Sequence, residues 1–293
     1  MSQPLAHPEP APAPARRRAR AGRRRPASNS AASDRATFWH SLRAEWVKIR
    51  TMRSTLFVIL GALAFAVGLA ALNGSSAGDE YPDLSPADRA EFDPLETSLM
   101  GYLVAQIAFG LLGGLVMTSE YGARTIVPTL TSVPRRARVL GSKALVLVGV
   151  ALPVGIVVSL GAFLVGQAAL SGAGAPHLAL SDGAATRGVL GGGLYLTLAA
   201  LLGLALGAVI RSTTATVTTL FGVMLIVRAF APALPGALGD GVAKFWPPLA
   251  GGRIITAVRD PDALAPWAGL GVMAGCVAAL LAAAFVVFRG RDA

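Results

Sequence analysis

Six apolar runs, at 55–72, 97–117, 144–170, 189–210, 213–230 and 265–288, divide this chain, and most charged residues lie in the intervals between them. Each has the length of a helix that crosses bilayer hydrocarbon. Their succession predicts an all-α integral membrane protein of six transmembrane helices. The fifth run is the least apolar, because Thr213, Thr214, Thr216, Thr218 and Thr219 fill its first half. Threonine hydroxyls that bond back to the preceding turn keep such a helix compatible with the membrane. Pro153 lies within the third run and is expected to kink it. Glycines four apart, Gly110/Gly114, Gly203/Gly207 and Gly271/Gly275, predict close approach of helices.

Just before the first run the pattern changes. Across 38–53, Phe38, Trp39, Leu42, Trp46 and Ile49 share one side of a helix, while Arg43 and Lys48 fall elsewhere. Two tryptophans beside basic residues predict an interfacial helix at the level of the lipid headgroups. His40 has no second histidine or cysteine at helical spacing and reads as an interfacial polar residue. The last long interval, 231–264, is too polar to cross a bilayer and too apolar for a free loop. Prolines at 232, 235, 247, 248 and 261 interrupt it, and short helices are expected around Lys244, Phe245 and Trp246 and over 253–258. An exterior re-entrant or interfacial pair of helices fits, with Phe245, Trp246, Pro247 and Pro248 as its candidate residues.

Composition supports the membrane reading: 54% of the residues are hydrophobic and 14% charged, where a soluble domain carries about a quarter charged. A net charge of +10 would point to nucleic acid in a soluble protein. Here its distribution follows the rule that basic loops stay in the cytoplasm, so no nucleic-acid partner is expected. Residues 1–36 carry Arg16, Arg17, Arg18, Arg20, Arg23, Arg24 and Arg25 with almost no large apolar side chains. They are expected to form a disordered cytoplasmic tail ahead of a six-span domain at 37–293. The tail, the 120–143 interval, Arg211, Arg289 and Arg291 fall on one side of a six-span arrangement. Asp79, Glu80, Asp83, Asp88, Glu91, Asp93 and Glu96 fall on the other, in what reads as a solvated exterior loop. Both termini are thus expected in the cytoplasm of a multi-pass protein of the cell membrane.

Candidate chemistry is sparse. Cys276 stands alone, which excludes an intramolecular disulfide and a multi-cysteine metal site. There is no phosphate-binding G-x-x-x-x-G-K-[ST] loop, no H-E-x-x-H helix, no G-x-S-x-G elbow and no D-x-D-x-D-G calcium loop. No catalytic residue and no metal site is expected, and the chain does not read as an enzyme by itself. Arg228, near the outer end of the fifth run, is the one intramembrane charge that stands out. No Asp/Glu/His chain runs through the spans, which disfavours an ion-coupled carrier.

Four stretches carry a resemblance to a known family. They are L-R-A-E-W-V-K-I-R-T-M-R-S-T from Leu42, S-E-Y-G-A-R-T-I-V-P-T-L-T-S-V-P-R-R-A-R-V-L-G-S-K from Ser119, R-S-T-T-A from Arg211 and F-W-P-P-L-A-G-G from Phe245. In this order and spacing they resemble the membrane permease subunit of an ABC transporter of the type-2 exporter class, in its actinobacterial form. The resemblance implies a connecting helix at 38–53, re-entrant exterior helices before the last span and a cytoplasmic coupling helix within 120–134. It implies that two permease copies or paralogues dock on separate ABC ATPase subunits, with ATP and magnesium held there and no cofactor bound by this chain. The long Arg-rich tail lies outside the family pattern.

Within the expected coupling segment, Glu120, Tyr121, Arg124 and Thr125 offer polar and aromatic contacts. Pro134, Arg135 and Arg136 close it, with arginines suited to carboxylates of a partner. The same arginines also satisfy the cytoplasmic charge rule and suit lipid headgroups. From the residues the two readings are even; the resemblance favours coupling. The function implied is export of a hydrophobic or amphipathic substrate, with Gln106 and Gln167 as polar contacts along an apolar path. The alternative is a non-transporting membrane scaffold or sensor whose cytoplasmic loop binds a regulatory partner.

Overall fold

A computed structural model of the chain describes residues 28–122 and 136–290. The chain divides into two units, Met1–Ala36 and Thr37–Ala293, and the helical bundle belongs to the second. Among the described residues there is no strand. Helix α1 (Ser28–Thr51) starts inside the segment expected to lack structure. The break at Met52, with extended backbone, separates it from α2 (Arg53–Glu80), the first span. A short turn and two six-residue helices, α3 (Pro86–Glu91) and α4 (Pro94–Leu99), lead to α5 (Tyr102–Gly122). Both short helices begin with proline, whose missing N–H costs nothing at a helix start. Their preceding residues, Ser85 and Asp93, cap them through side-chain oxygens.

The third span, α6 (Arg136–Gly172), contains 37 residues and runs through Pro153 as one helix. At 1.5 Å per residue it is about 55 Å long, well beyond the hydrocarbon thickness. Helix α7 (Gly183–Ile210) is the fourth span. It ends at Arg211, whose left-handed φ of 60° and N–H bond to Gly207 O at 3.0 Å turn the chain directly into the fifth span. That span is composite: α8 (Thr213–Phe221), a π turn (Gly222–Ile226) and α9 (Val227–Phe230). Thr216, Thr218 and Thr219 bond back to carbonyls four residues earlier, as their positions in the sequence suggest. After α10 (Gly236–Phe245) and α11 (Pro247–Gly252), the sixth span α12 (Pro266–Gly290) completes the fold.

All six expected spans are helices long and apolar enough to cross a membrane. Two are central: 61% of the second and 67% of the fourth are buried, against 22% to 33% for the other four. Their contact, α5 on α7, is the most extensive in the fold. Glycine makes it possible, because a Cβ on Gly203 would lie 1.9 Å from Gly110 O and one on Gly113 would lie 1.7 Å from Ala200 O. Helix α2 packs on α6 and α5, α6 on α7, α8 on α5 and α7, and α12 on α7 and α11. The third glycine pair does not take part; a Cβ on Gly271 or Gly275 would meet nothing within 4 Å.

The 231–264 interval differs in detail from expectation. After a 3-10 turn (Ala231–Ala233) its first α-helix starts at Gly236, earlier than Lys244, and 253–258 forms one 3-10 turn (Arg253–Ile255) followed by irregular chain. The reason is packing: Pro248, Ala250, Gly251, Gly252, Ile254 and Ile255 are buried, and α11 lies against the first turns of α12. Gly269 admits that contact, since a Cβ there would lie 2.0 Å from Ala250 O.

Candidate functional site

In sequence the 120–143 interval links α5 to α6, and the described residues resume at Arg136. Of its expected coupling residues, Glu120 and Tyr121 end α5 and Arg136 begins α6. Arg124, Thr125, Pro134 and Arg135 lie outside the described residues. What the structure adds is the anchorage of this interval. Lys143, seven residues into α6, is buried at 1% exposure. Its Nζ donates to Glu45 Oε2 on α1 at 2.8 Å and to Val116 O on α5 at 3.3 Å. Glu45 is 5% exposed, and its other oxygen accepts from Lys48 Nζ at 3.0 Å. A buried ion pair holds its geometry when both partners find further hydrogen bonds, as here. One ammonium thus ties α1, α5 and α6 together.

This contact also explains how α1 sits. Ile49 and Glu45 are buried, Phe38 and Leu42 are half-buried, and Trp39 and Trp46 are exposed. The side expected to be uniformly apolar is therefore split between a protein-facing edge centred on a carboxylate and an outward edge of two indoles. Trp39, Leu42, Trp46, Leu145, Val146 and Gly149 line a cavity of about 550 Å³ between α1 and α6.

A second cluster lies at the far end of α6. Gln167 Nε2 donates to Pro94 O and to Ser98 Oγ, both at 2.8 Å, and its Oε1 accepts from Leu178 N at 2.6 Å. All of its polar atoms are engaged within the fold. The same holds for Gln106, which accepts from the Tyr195 hydroxyl and donates to Leu103 O at 3.3 Å. These glutamines join helices, so the side chains offered by the sequence as substrate contacts already hold partners within the fold.

Asp93 corrects a second expectation. Most carboxylates of the 73–96 loop are exposed, but Asp93 is 9% exposed. Its Oδ1 accepts from the N–H groups of Leu95 and Glu96, capping α4. Its Oδ2 accepts from Ala257 N at 2.6 Å and Val258 N at 2.8 Å, fixing the irregular chain after α11. Burial raises the pKa of neighbouring Glu96 above the ordinary glutamate value; Asp93 adds to the rise, and Arg228 and Arg253 oppose it. Arg228 sits 4.0 Å from Glu96 and donates to the Tyr102 hydroxyl at 2.7 Å. It joins the fifth span to the second.

Among the expected residues of the exterior segment, Trp246 has a defined task. Its indole N–H donates at 2.8 Å to Val223 O, inside the π turn of the fifth span. The indole thus fastens the segment before α11 to that turn. Pro247 and Pro248 occupy the first turn of α11, and Phe245 is exposed. The residues that sequence reasoning passed over are Glu45, Lys143, Asp93 and Ser98. Glu45 carried a signal, being a carboxylate between Leu42 and Ile49 on the buried edge of an amphipathic helix.

The fold is that of an integral membrane protein with six candidate spans among the described residues, its two ends clamped by polar side chains around a tightly packed helix pair. The family profile described as ABC-2 family transporter protein matches residues 41–228, so the chain belongs to that family. It is a membrane permease subunit of an ABC transporter, a component that is generally not itself catalytic. No curated protein matches the chain closely enough to add to this.

Proposed function

We propose that this permease works in export, moving a hydrophobic or amphipathic substrate out of the cytoplasm with ATP hydrolysed on a separate subunit. The observation that carries the reading is α6. This helix leaves the 120–143 interval at Arg136, meets Glu45 and Val116 O through Lys143, and ends in the Gln167 cluster about 36 Å further on by helical rise. A displacement imposed near Arg136 would be carried by one rigid element to both faces.

In this reading Glu120, Tyr121, Arg124, Thr125, Pro134, Arg135 and Arg136 seat the ATPase. Both termini lie in the cytoplasm, residues 1–36 form a tail ahead of the 37–293 domain, and the 38–53 stretch of α1 and its continuation rests among the lipid headgroups. The segment around Trp246 is re-entrant from the exterior. ATP and magnesium belong to the ATPase. A second permease copy or paralogue is supported by the filled centre of the bundle. The void among Ala66, Leu99, Tyr102, Ser159 and Tyr195 is about 10 Å³, at the lower limit for a single water. A substrate path therefore fits better between two subunits than within one.

The test is ATP hydrolysis by the purified complex in proteoliposomes. Replacing Arg135 and Arg136 with Glu should abolish stimulation of the ATPase by the permease while leaving the permease inserted. Unchanged stimulation and transport in that double variant would contradict the reading. It would favour a scaffold whose loop binds a regulator.

A further inference from the structure

A cavity of about 530 Å³ opens between the first turns of α7 and α12 and the irregular chain after Arg253. Its charged lining is Arg187, Arg253 and Arg259 against a single carboxylate, Asp260, and Trp267 forms one wall. Arg253 is paired with Asp260 at 3.1 Å. Arg259 is exposed and has no ion pair among the described residues. Arg187 donates one Nη2 proton to Thr256 O, while its Nε–H is buried and has no hydrogen-bond partner among the described residues. Asp93 reaches the same wall but is occupied by backbone N–H groups of Ala257 and Val258. The cavity therefore holds two cationic groups beyond its internal pair, one of them with a buried donor lacking an acceptor. A buried charged donor of that kind is costly until an acceptor arrives.

Arg187 and Trp267 lie at the ends of the fourth and sixth spans. Arginine and tryptophan at that level flank the headgroup layer, where the apolar ring faces acyl chains and the cation faces phosphate. We propose that this cavity binds an anionic phosphate ester, with Arg187 and Arg259 donating to the phosphate oxygens and Trp267 packing beside the apolar part. The proposal rests on the membrane-spanning fold and stands apart from the reading as an exporter. The phosphate can come from an anionic lipid headgroup or from a free phosphate, and the two sources separate experimentally.

Delipidated protein in neutral detergent is titrated with phosphatidylglycerol and phosphatidylcholine, followed by native mass spectrometry, and with inorganic phosphate, followed by calorimetry. Arg259→Gln carries the test, since that side chain is exposed and unpaired; an unchanged melting temperature verifies its fold. Phosphatidylglycerol should bind about tenfold more tightly than phosphatidylcholine, and Arg259→Gln should remove about that factor, as expected for one charge-assisted hydrogen bond. Binding of inorganic phosphate with the same dependence on Arg259, and without preference between the lipids, would assign the site to a free anion. Equal affinity for both lipids with no phosphate binding, or any binding unaffected by Arg259→Gln and Arg187→Gln, would overturn the proposal.

Discussion

Lys143 and Glu45, 98 residues apart in sequence, meet at 2.8 Å in a buried ion pair that joins the helix before the first span to the start of the third. Removing the Lys143 ammonium leaves the buried Glu45 carboxylate with the half-exposed Lys48 as counter-charge, a weaker compensation than the buried pair supplies. Lys143→Met should therefore destabilise the protein by about 3 kcal/mol, and Glu45→Gln in the same background should recover part of that loss. A double-mutant cycle from unfolding curves in mixed micelles measures it. Additive losses would show that the two side chains do not act as a pair.

Asp93 accepts four backbone N–H groups from two distant segments. Asp93→Ala should cost about 2–4 kcal/mol, the sum of a lost helix cap and of buried donors left without acceptors. The irregular chain it holds should loosen first. Limited trypsin digestion should then cleave at Arg259 in the variant faster than in the parent protein.

The bond from the Trp246 indole to Val223 O ties the segment before the last span to the π turn of the fifth. Trp246→Phe keeps the ring and removes the donor, at about 1 kcal/mol. Hydrogen exchange should accelerate at 222–227 and remain unchanged in α7. Uniform exchange across the bundle would contradict a local role.

Gly203→Ala places a methyl where the structure has 1.9 Å to Gly110 O, whereas Gly271→Ala meets nothing within 4 Å. The first should lower the melting temperature through an overpacking cost of about 1–3 kcal/mol. The second should leave it unchanged. Equal effects would show that the α5–α7 contact is not set by these glycines.

The raised pKa of Glu96 has a definite sign in stability. The folded state prefers the neutral acid, so the contribution is fully present below the ordinary value of 4.5 and is lost as pH rises through the raised value. Glu96→Gln should melt higher than the parent near neutral pH, with the difference closing as pH falls. A lower melting temperature at neutral pH would mean that the contact with Arg228 outweighs burial and the charge of Asp93.

The six spans were legible because hydropathy is a local, one-dimensional property, and the Thr-rich fifth run still formed a span through its back-bonding hydroxyls. The clamps were not legible for the opposite reason. Asp93 looks like its neighbours in an acidic loop until the backbone at Ala257 and Val258 is brought to it from 164 and 165 residues away. Gln106 and Gln167 looked available because a sequence records polarity without recording whether that polarity is already satisfied. The expected tryptophan-bearing helix was correct in extent around Phe38 to Ile49, but only tertiary packing separates its buried edge at Glu45 and Ile49 from its exposed indoles.

The most direct test of the account is recovery of the tagged chain from its native membranes in mild detergent, with copurifying proteins identified by mass spectrometry. The account predicts a stoichiometric soluble subunit bearing a phosphate-binding loop, lost when Arg135 and Arg136 are replaced with Glu. Recovery of the chain alone, or with a partner lacking such a loop, would contradict the claim that this permease is driven by an ATPase seated on the 120–143 interval.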